Sequence, residues 1–188
     1  MASSFGPSAL ATPANAVTIA RLVLAPFLWL LIVAGGASYV TFGLWIVLAS
    51  TDGLDGWIAR RMGTTRSGAF LDPLADKALV LGAMWALAAE GGFWAVPVAL
   101  ITLRELTISV FRSYWGRQGL AVPATFWAKV KTVVQSVAVG LALLPPVADR
   151  HAWLASTALW LAVALTLATG LQYLVEGSRA TVAGGARV

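Results

Sequence analysis

Four aspartates, Asp52, Asp55, Asp72 and Asp76, fall within 25 residues and make up half of the eight acidic side chains in the chain. The first two are three residues apart and the last two are four apart, so each pair shares one face of a helix. An ionised aspartate costs roughly 2.5–3.5 kcal/mol at the centre of a membrane helix, and apolar sequence flanks this cluster on both sides. Turned toward each other, the two faces form a compact cage of oxygen donors, which suits a hard divalent cation such as Mg²⁺ or Mn²⁺. Gly53, Gly56 and Ala59 keep the helix face beside Asp52 low, and Arg60 adds a planar cation suited to phosphate oxygens. Carboxylates for metal, an open backbone face and an arginine together point to a diphosphate held through cations. The competing reading, helix caps and solvated charges at span ends, leaves that combination without a purpose.

The elements that must carry these residues are membrane helices. With 59% hydrophobic and 11% charged residues the chain has the composition of a membrane protein, and its mean hydropathy of +0.81 agrees. It has no cysteine, which excludes disulfides, thiolate nucleophiles and zinc–sulfur sites. Six apolar runs approach the length that crosses a bilayer, about 20 residues. They cover about Val17–Ala34, Tyr39–Ala59, Asp72–Ala89, Phe93–Trp115, Phe126–Leu144 and Trp153–Leu174, the fifth stopped by Pro145–Pro146. The expected fold is all-α, a polytopic protein with six transmembrane helices over residues 1–176 and a disordered tail over 177–188. Lys and Arg concentrate around the second and fourth connections and in the tail, whereas the first and third connections carry none. Both termini are therefore expected in the cytoplasm, with the acidic pairs at the cytoplasmic ends of spans two and three. Arg21, Arg104 and Glu105 lie inside spans and are expected to face the bundle interior, Glu105 as a partner for Arg104. His151 reads as a solvated loop residue, and the nine tryptophans as interfacial anchors. The N-terminus has no basic start before its apolar run and does not read as a cleaved signal peptide.

The acidic stretch resembles the signature of the CDP-alcohol phosphatidyltransferase family, D-x-x-D-G-x-x-A-R, a spacer, then G-x-x-x-D-x-x-x-D. Asp52, Asp55, Gly56, Ala59, Arg60, Gly68, Asp72 and Asp76 stand at those positions, with a spacer one residue shorter than is usual. Asn15, Thr18, Arg21 and Pro26 match the family's N-x-x-T-x-x-R-x-x-x-x-P first helix. The run Asp72–Lys77, the Arg104–Glu105 pair, Arg112 and the run Ala128–Gln135 look like the phosphatidylglycerophosphate synthase branch, although Ala128 replaces a usual glycine. The resemblance implies transfer of the phosphatidyl group of CDP-diacylglycerol to sn-glycerol 3-phosphate, giving phosphatidylglycerophosphate and CMP. It implies two Mg²⁺ or Mn²⁺ ions held by Asp52, Asp55 and Asp72, with Asp76 a bridging ligand, a general base, or both in sequence. CDP would lie along Asn15, Thr18, Asp55, Gly56, Ala59, Arg60 and Gly68. Arg104, Arg112, Lys129 and Lys131 would bind the acceptor phosphate, with ordinary membrane anchoring as the competing role for the two lysines. A homodimer among membrane lipids of the plasma membrane, its active site facing the cytoplasm, completes the expectation; no nucleic-acid partner is expected. Two other readings stand beside it: the same chemistry with another acceptor (making cardiolipin, phosphatidylserine or phosphatidylinositol-phosphate), or a cation transporter. A transporter needs carboxylates near the midplane, whereas these cluster at one end.

Overall fold

Glycine, proline and short polar breaks divide the described residues into seven helices. The computed structural model describes the backbone over residues 13–62, 68–117 and 126–185, and side chains over 15–51, 73–111, 127 and 129–171. The elements are α1 (Pro13–Gly35), α2 (Tyr39–Met62), α3 (Gly68–Glu90), α4 (Ala95–Arg117), α5 (Phe126–Leu143), α6 (Pro145–Arg150) and α7 (Ala152–Gly185). No strand occurs among the described residues.

Local chemistry sets the breaks. Gly36, at φ +61°, ends α1 in the left-handed region and donates its N–H to Ile32 O at 2.7 Å. Ser38 and Thr41 then start α2 with reciprocal bonds, Thr41 N–H to Ser38 Oγ at 3.1 Å and Ser38 N–H to Thr41 Oγ1 at 3.0 Å. The proline pair does more than stop α5. Leu144, pushed into the extended region by the proline after it, serves as the N-cap of the short helix α6, with proline in its first turn. At the far end α7 runs through Gly177, where a disordered tail was expected to begin, and continues as helix to Gly185. Each further residue of a formed helix gains a hydrogen bond at no new nucleation cost, and Arg179–Ala183 contains no proline to stop it.

Each long helix buries one stripe. On α1 it is Asn15, Thr18, Arg21, Ala25, Leu28 and Ile32; on α5 it is Lys131, Gln135, Ala138, Val139, Ala142 and Leu143. The apolar parts of these stripes, with Trp45, Met84, Leu87, Ile101 and Leu159, make one core. Two groupings share it: α1 with α2 and α3, and α7 with α4 and α5, joined where α3 meets α4 and α5 and where α2 meets α5. Glycines let large side chains approach a neighbouring backbone. A Cβ at Gly82 would lie 2.2 Å from the Trp29 ring, and one at Gly170 would lie 3.1 Å from Arg104 Nε.

The outer surface is apolar as well. Leu24, Phe27, Leu30, Val47, Leu103, Val110, Leu161 and Leu171 all point outward and are exposed. A soluble protein rarely shows so much contiguous apolar surface, and lipid is the solvent that suits it. Asn15–Gly35 and Ala152–Leu171 are long and apolar enough on their own to cross a membrane, and Tyr39–Thr51 is a shorter apolar segment. The other expected spans include charged residues or are described over shorter stretches.

Candidate active site

The buried stripes are not apolar along their whole length. Buried polar residues interrupt them at Asn15, Thr18 and Arg21 of α1, Arg104 and Glu105 of α4, Lys131 and Gln135 of α5, and Thr166 and Thr169 of α7. Hydrogen bonds and ion pairs link these positions between helices: Arg21 to Thr51 and Asp76, Lys131 to Glu105, and Arg104 to Thr169. Asn15, Thr18 and Arg21 are each only 1% exposed, three residues apart on one face of α1. Polar groups buried this completely need partners, and all three have them.

Arg21 joins three helices. Its Nη1 donates to Asp76 Oδ1 of α3, and its Nε donates to Thr51 Oγ1 of α2 at 3.2 Å. Thr51 in turn donates to Leu48 O at 2.6 Å. The Arg21 side chain is sealed from solvent, whereas that of Asp76 remains 32% exposed. The carboxylate is thus anchored from behind and open in front. It opens on a cavity of about 150 Å³, whose polar lining is Asp76 and Lys77 of α3, Glu105 of α4, and Thr132 and Gln135 of α5.

A second charged group lies across that cavity. Glu105 Oε1 accepts from Arg104 Nη1 at 3.1 Å and from Lys131 Nζ. Arg104 Nη2 donates to Thr169 Oγ1 of α7 at 2.9 Å, and Gln135 Nε2 donates to Thr166 Oγ1 at 3.1 Å. Lys77 Nζ donates to Ser109 Oγ, tying α3 to α4. Burying charge in this way is tolerable because Arg104 and Lys131 share the Glu105 carboxylate and further hydrogen bonds surround the group.

The expected residues distribute as follows. Asn15 and Thr18 are buried on α1, Asp76 lines the cavity, and Arg104 and Lys131 meet on Glu105, as the expected Arg104–Glu105 pairing required. Lys129 is exposed. It lies about 200° around the helix from Lys131, so one face cannot present both. Asp52, Asp55, Gly56, Ala59 and Arg60 belong to α2, Gly68 and Asp72 to α3, and Arg112 to α4, but their side chains lie outside the described residues. The 4–3 spacing of the buried α2 residues Thr41, Trp45 and Leu48 continues in the sequence at positions 52 and 55. No group of three or more metal-ligating side chains gathers among the described residues, of which Asp76 is the only one of the four aspartates. As an oxygen-only donor open to the cavity, Asp76 fits a hard divalent cation. Lys77, Thr132 and Gln135 line the cavity without a role assigned from the sequence, and Arg21, expected to face the interior within the first-helix motif, has Asp76 as its partner. The signal for Arg21 was its guanidinium inside an apolar run, which demands a buried anion.

The chain is similar to known proteins over most of its length. The sequence profile described as CDP-alcohol phosphatidyltransferase matches residues 11–168. A protein of Mycobacterium tuberculosis named "Probable phosphatidylglycerophosphate synthase" is 38% identical over 181 residues, 93% of this chain and 85% of its own length. Proteins named "CDP-diacylglycerol--glycerol-3-phosphate 3-phosphatidyltransferase" are 37% identical in Pseudomonas fluorescens, over 85% of this chain and 87% of theirs. The protein of that name in Escherichia coli K12 is also 37% identical, over 84% of this chain and 90% of its own. A match over most of the chain, with relatives of this identity and coverage, makes the protein an enzyme belonging to the CDP-alcohol phosphatidyltransferase family.

Proposed function

We propose that this enzyme transfers the phosphatidyl group of CDP-diacylglycerol to sn-glycerol 3-phosphate, producing phosphatidylglycerophosphate and CMP. The observation that carries the reading is the cavity between Asp76 and the Glu105–Arg104–Lys131 group: a carboxylate on one wall, buried cations behind the other. A hydroxyl acceptor bearing a phosphate needs both. The names of the relatives point to the same donor and acceptor.

In this reading the acceptor hydroxyl attacks the phosphorus that bears diacylglycerol. The new phosphorus–oxygen bond forms as the bond to the CMP phosphate breaks, and CMP carries away the electron pair. Asp76 takes the hydroxyl proton, and Arg21 fixes the position of its carboxylate. Asp52, Asp55, Asp72 and Asp76 would hold two Mg²⁺ or Mn²⁺ ions, which would supply charge neutralisation for the diphosphate. Asn15, Thr18, Gly56, Ala59, Arg60 and Gly68 would line the CDP site, and Arg112 would join Arg104 and Lys131 on the acceptor side. The catalytic unit would span residues 1–176 as six membrane helices, both termini and the polar end facing the cytoplasm, in a homodimer of the plasma membrane.

The deciding experiment follows CMP release from CDP-diacylglycerol with a panel of acceptors: glycerol 3-phosphate, serine, inositol phosphate and phosphatidylglycerol. Turnover with glycerol 3-phosphate is expected, with loss on chelation and recovery on adding Mg²⁺ or Mn²⁺. Preference for another acceptor overturns the assignment; full turnover in metal-free buffer overturns the metal-assisted route.

A further inference from the structure

Glu105 borders the cavity, yet its side chain is nine-tenths buried, and the same oxygen serves two cations. Arg104 comes from the neighbouring position on α4 and Lys131 from α5, and both are themselves nine-tenths buried. Neither cation is among the described residues that line the cavity. Arg104 is also held from behind, by Thr169 and by its close approach to Gly170. Without an anion between them, two cations at this depth would repel each other and lose the carboxylate they share among the described residues. Breaking such a group by removing one partner is far more disruptive than replacing it whole. Glu105 lines the cavity and the two cations do not, so a phosphomonoester there would reach Lys131 and Arg104 by competing with the Glu105 oxygen they now hold.

We propose that Glu105 is a positioning residue, a resident anion that holds Arg104 and Lys131 ready for a phosphate-bearing acceptor. The inference rests on the acceptor reading above. It assigns Glu105 no contact with the reacting atoms. Its effect runs through the two cations it holds, and it therefore has to show in how the protein responds to phosphate.

Inorganic phosphate is the probe. The thermal stability of the full-length protein in detergent is followed against phosphate concentration for the wild type, Glu105→Gln and Glu105→Asp. Glutamine keeps the shape but removes the charge, so Glu105→Gln should be stabilised at roughly tenfold lower phosphate than the wild type. In turnover the same variant should show a lower KM for glycerol 3-phosphate and a kcat reduced by about tenfold or more, with the KM for CDP-diacylglycerol changing by less than about twofold. Glu105→Asp, which retains the charge, should recover most of the loss. A residue that only packs the bundle would lower the melting temperature and leave the phosphate response unchanged; that result, or equal shifts in both KM values, overturns the inference. Should Glu105→Gln fail to fold, the double variant Glu105→Gln/Lys131→Gln decides. Restored folding upholds the counter-ion role, and continued failure rejects it. The phosphate series needs no turnover, so a wild type that responds to phosphate without using glycerol 3-phosphate removes the acceptor reading alone.

Discussion

Asp76 is held by an arginine on one oxygen while its side chain stays partly open to the cavity. A base that must accept a proton and then release it is best fixed in this way, because its position does not depend on the substrate. Asp76→Asn keeps the shape and a hydrogen-bond acceptor for Arg21 but removes the charge. Its expected outcome is a loss of CMP release of about a hundredfold or more with the folded protein retained, as judged by size-exclusion profile and thermal melt. Activity near the wild-type level would remove Asp76 from the proposed chemistry. The importance of Asp76 was legible in the sequence from its spacing to Asp72, but its partner was not. Arg21 lies fifty-five residues away, and no periodicity within one helix says which neighbouring helix will face it.

Among the elements, the glycines decide how closely the helices pack. Gly82 of α3 faces the Trp29 ring at a separation no Cβ tolerates, whereas the nearest atom to a Cβ at Gly140 of α5 would be Trp45 Nε1 at 3.4 Å, an ordinary contact. Gly82→Ala should therefore cost about 1–3 kcal/mol by forcing Trp29 aside. Gly140→Ala should cost under about 1 kcal/mol, since the methyl enters existing space and alanine favours the helix. Thermal unfolding of the two variants side by side checks the order, and equal effects would contradict it. The sequence marks both glycines as helix-interior residues of the same kind. Only the position of the opposing tryptophan separates them. The short helix α6 was hidden for a related reason: Pro145–Pro146 reads as a stop, although the same fixed φ that ends one helix suits the first turn of the next.

At the scale of the whole molecule, charge and aspartate spacing in the sequence mark one end of the proposed bundle as the polar, catalytic one. Which side of a membrane each end faces is a matter for labelling, and the native chain has no cysteine to interfere. Thr64→Cys, between α2 and α3, should resist an impermeant thiol reagent in intact cells and react after lysis. His151→Cys, beyond α6, should react in both; labelling of Thr64→Cys from outside would reverse the proposed orientation. The ion pairs divide the molecule along another line. Arg21 ties α1, α2 and α3 to one another, while Glu105, Arg104 and Lys131 tie α4 to α5, and Thr169 adds α7. The cavity lies on the seam, where Lys77 and Ser109 make the crossing. Among the described residues the ion pairs thus fall within one half or the other, Arg21–Asp76 in the first and Glu105 with Arg104 and Lys131 in the second. A scaffold so divided can keep one substrate and change the second, since the residues that would choose the acceptor are renewed together in α4, α5 and α7.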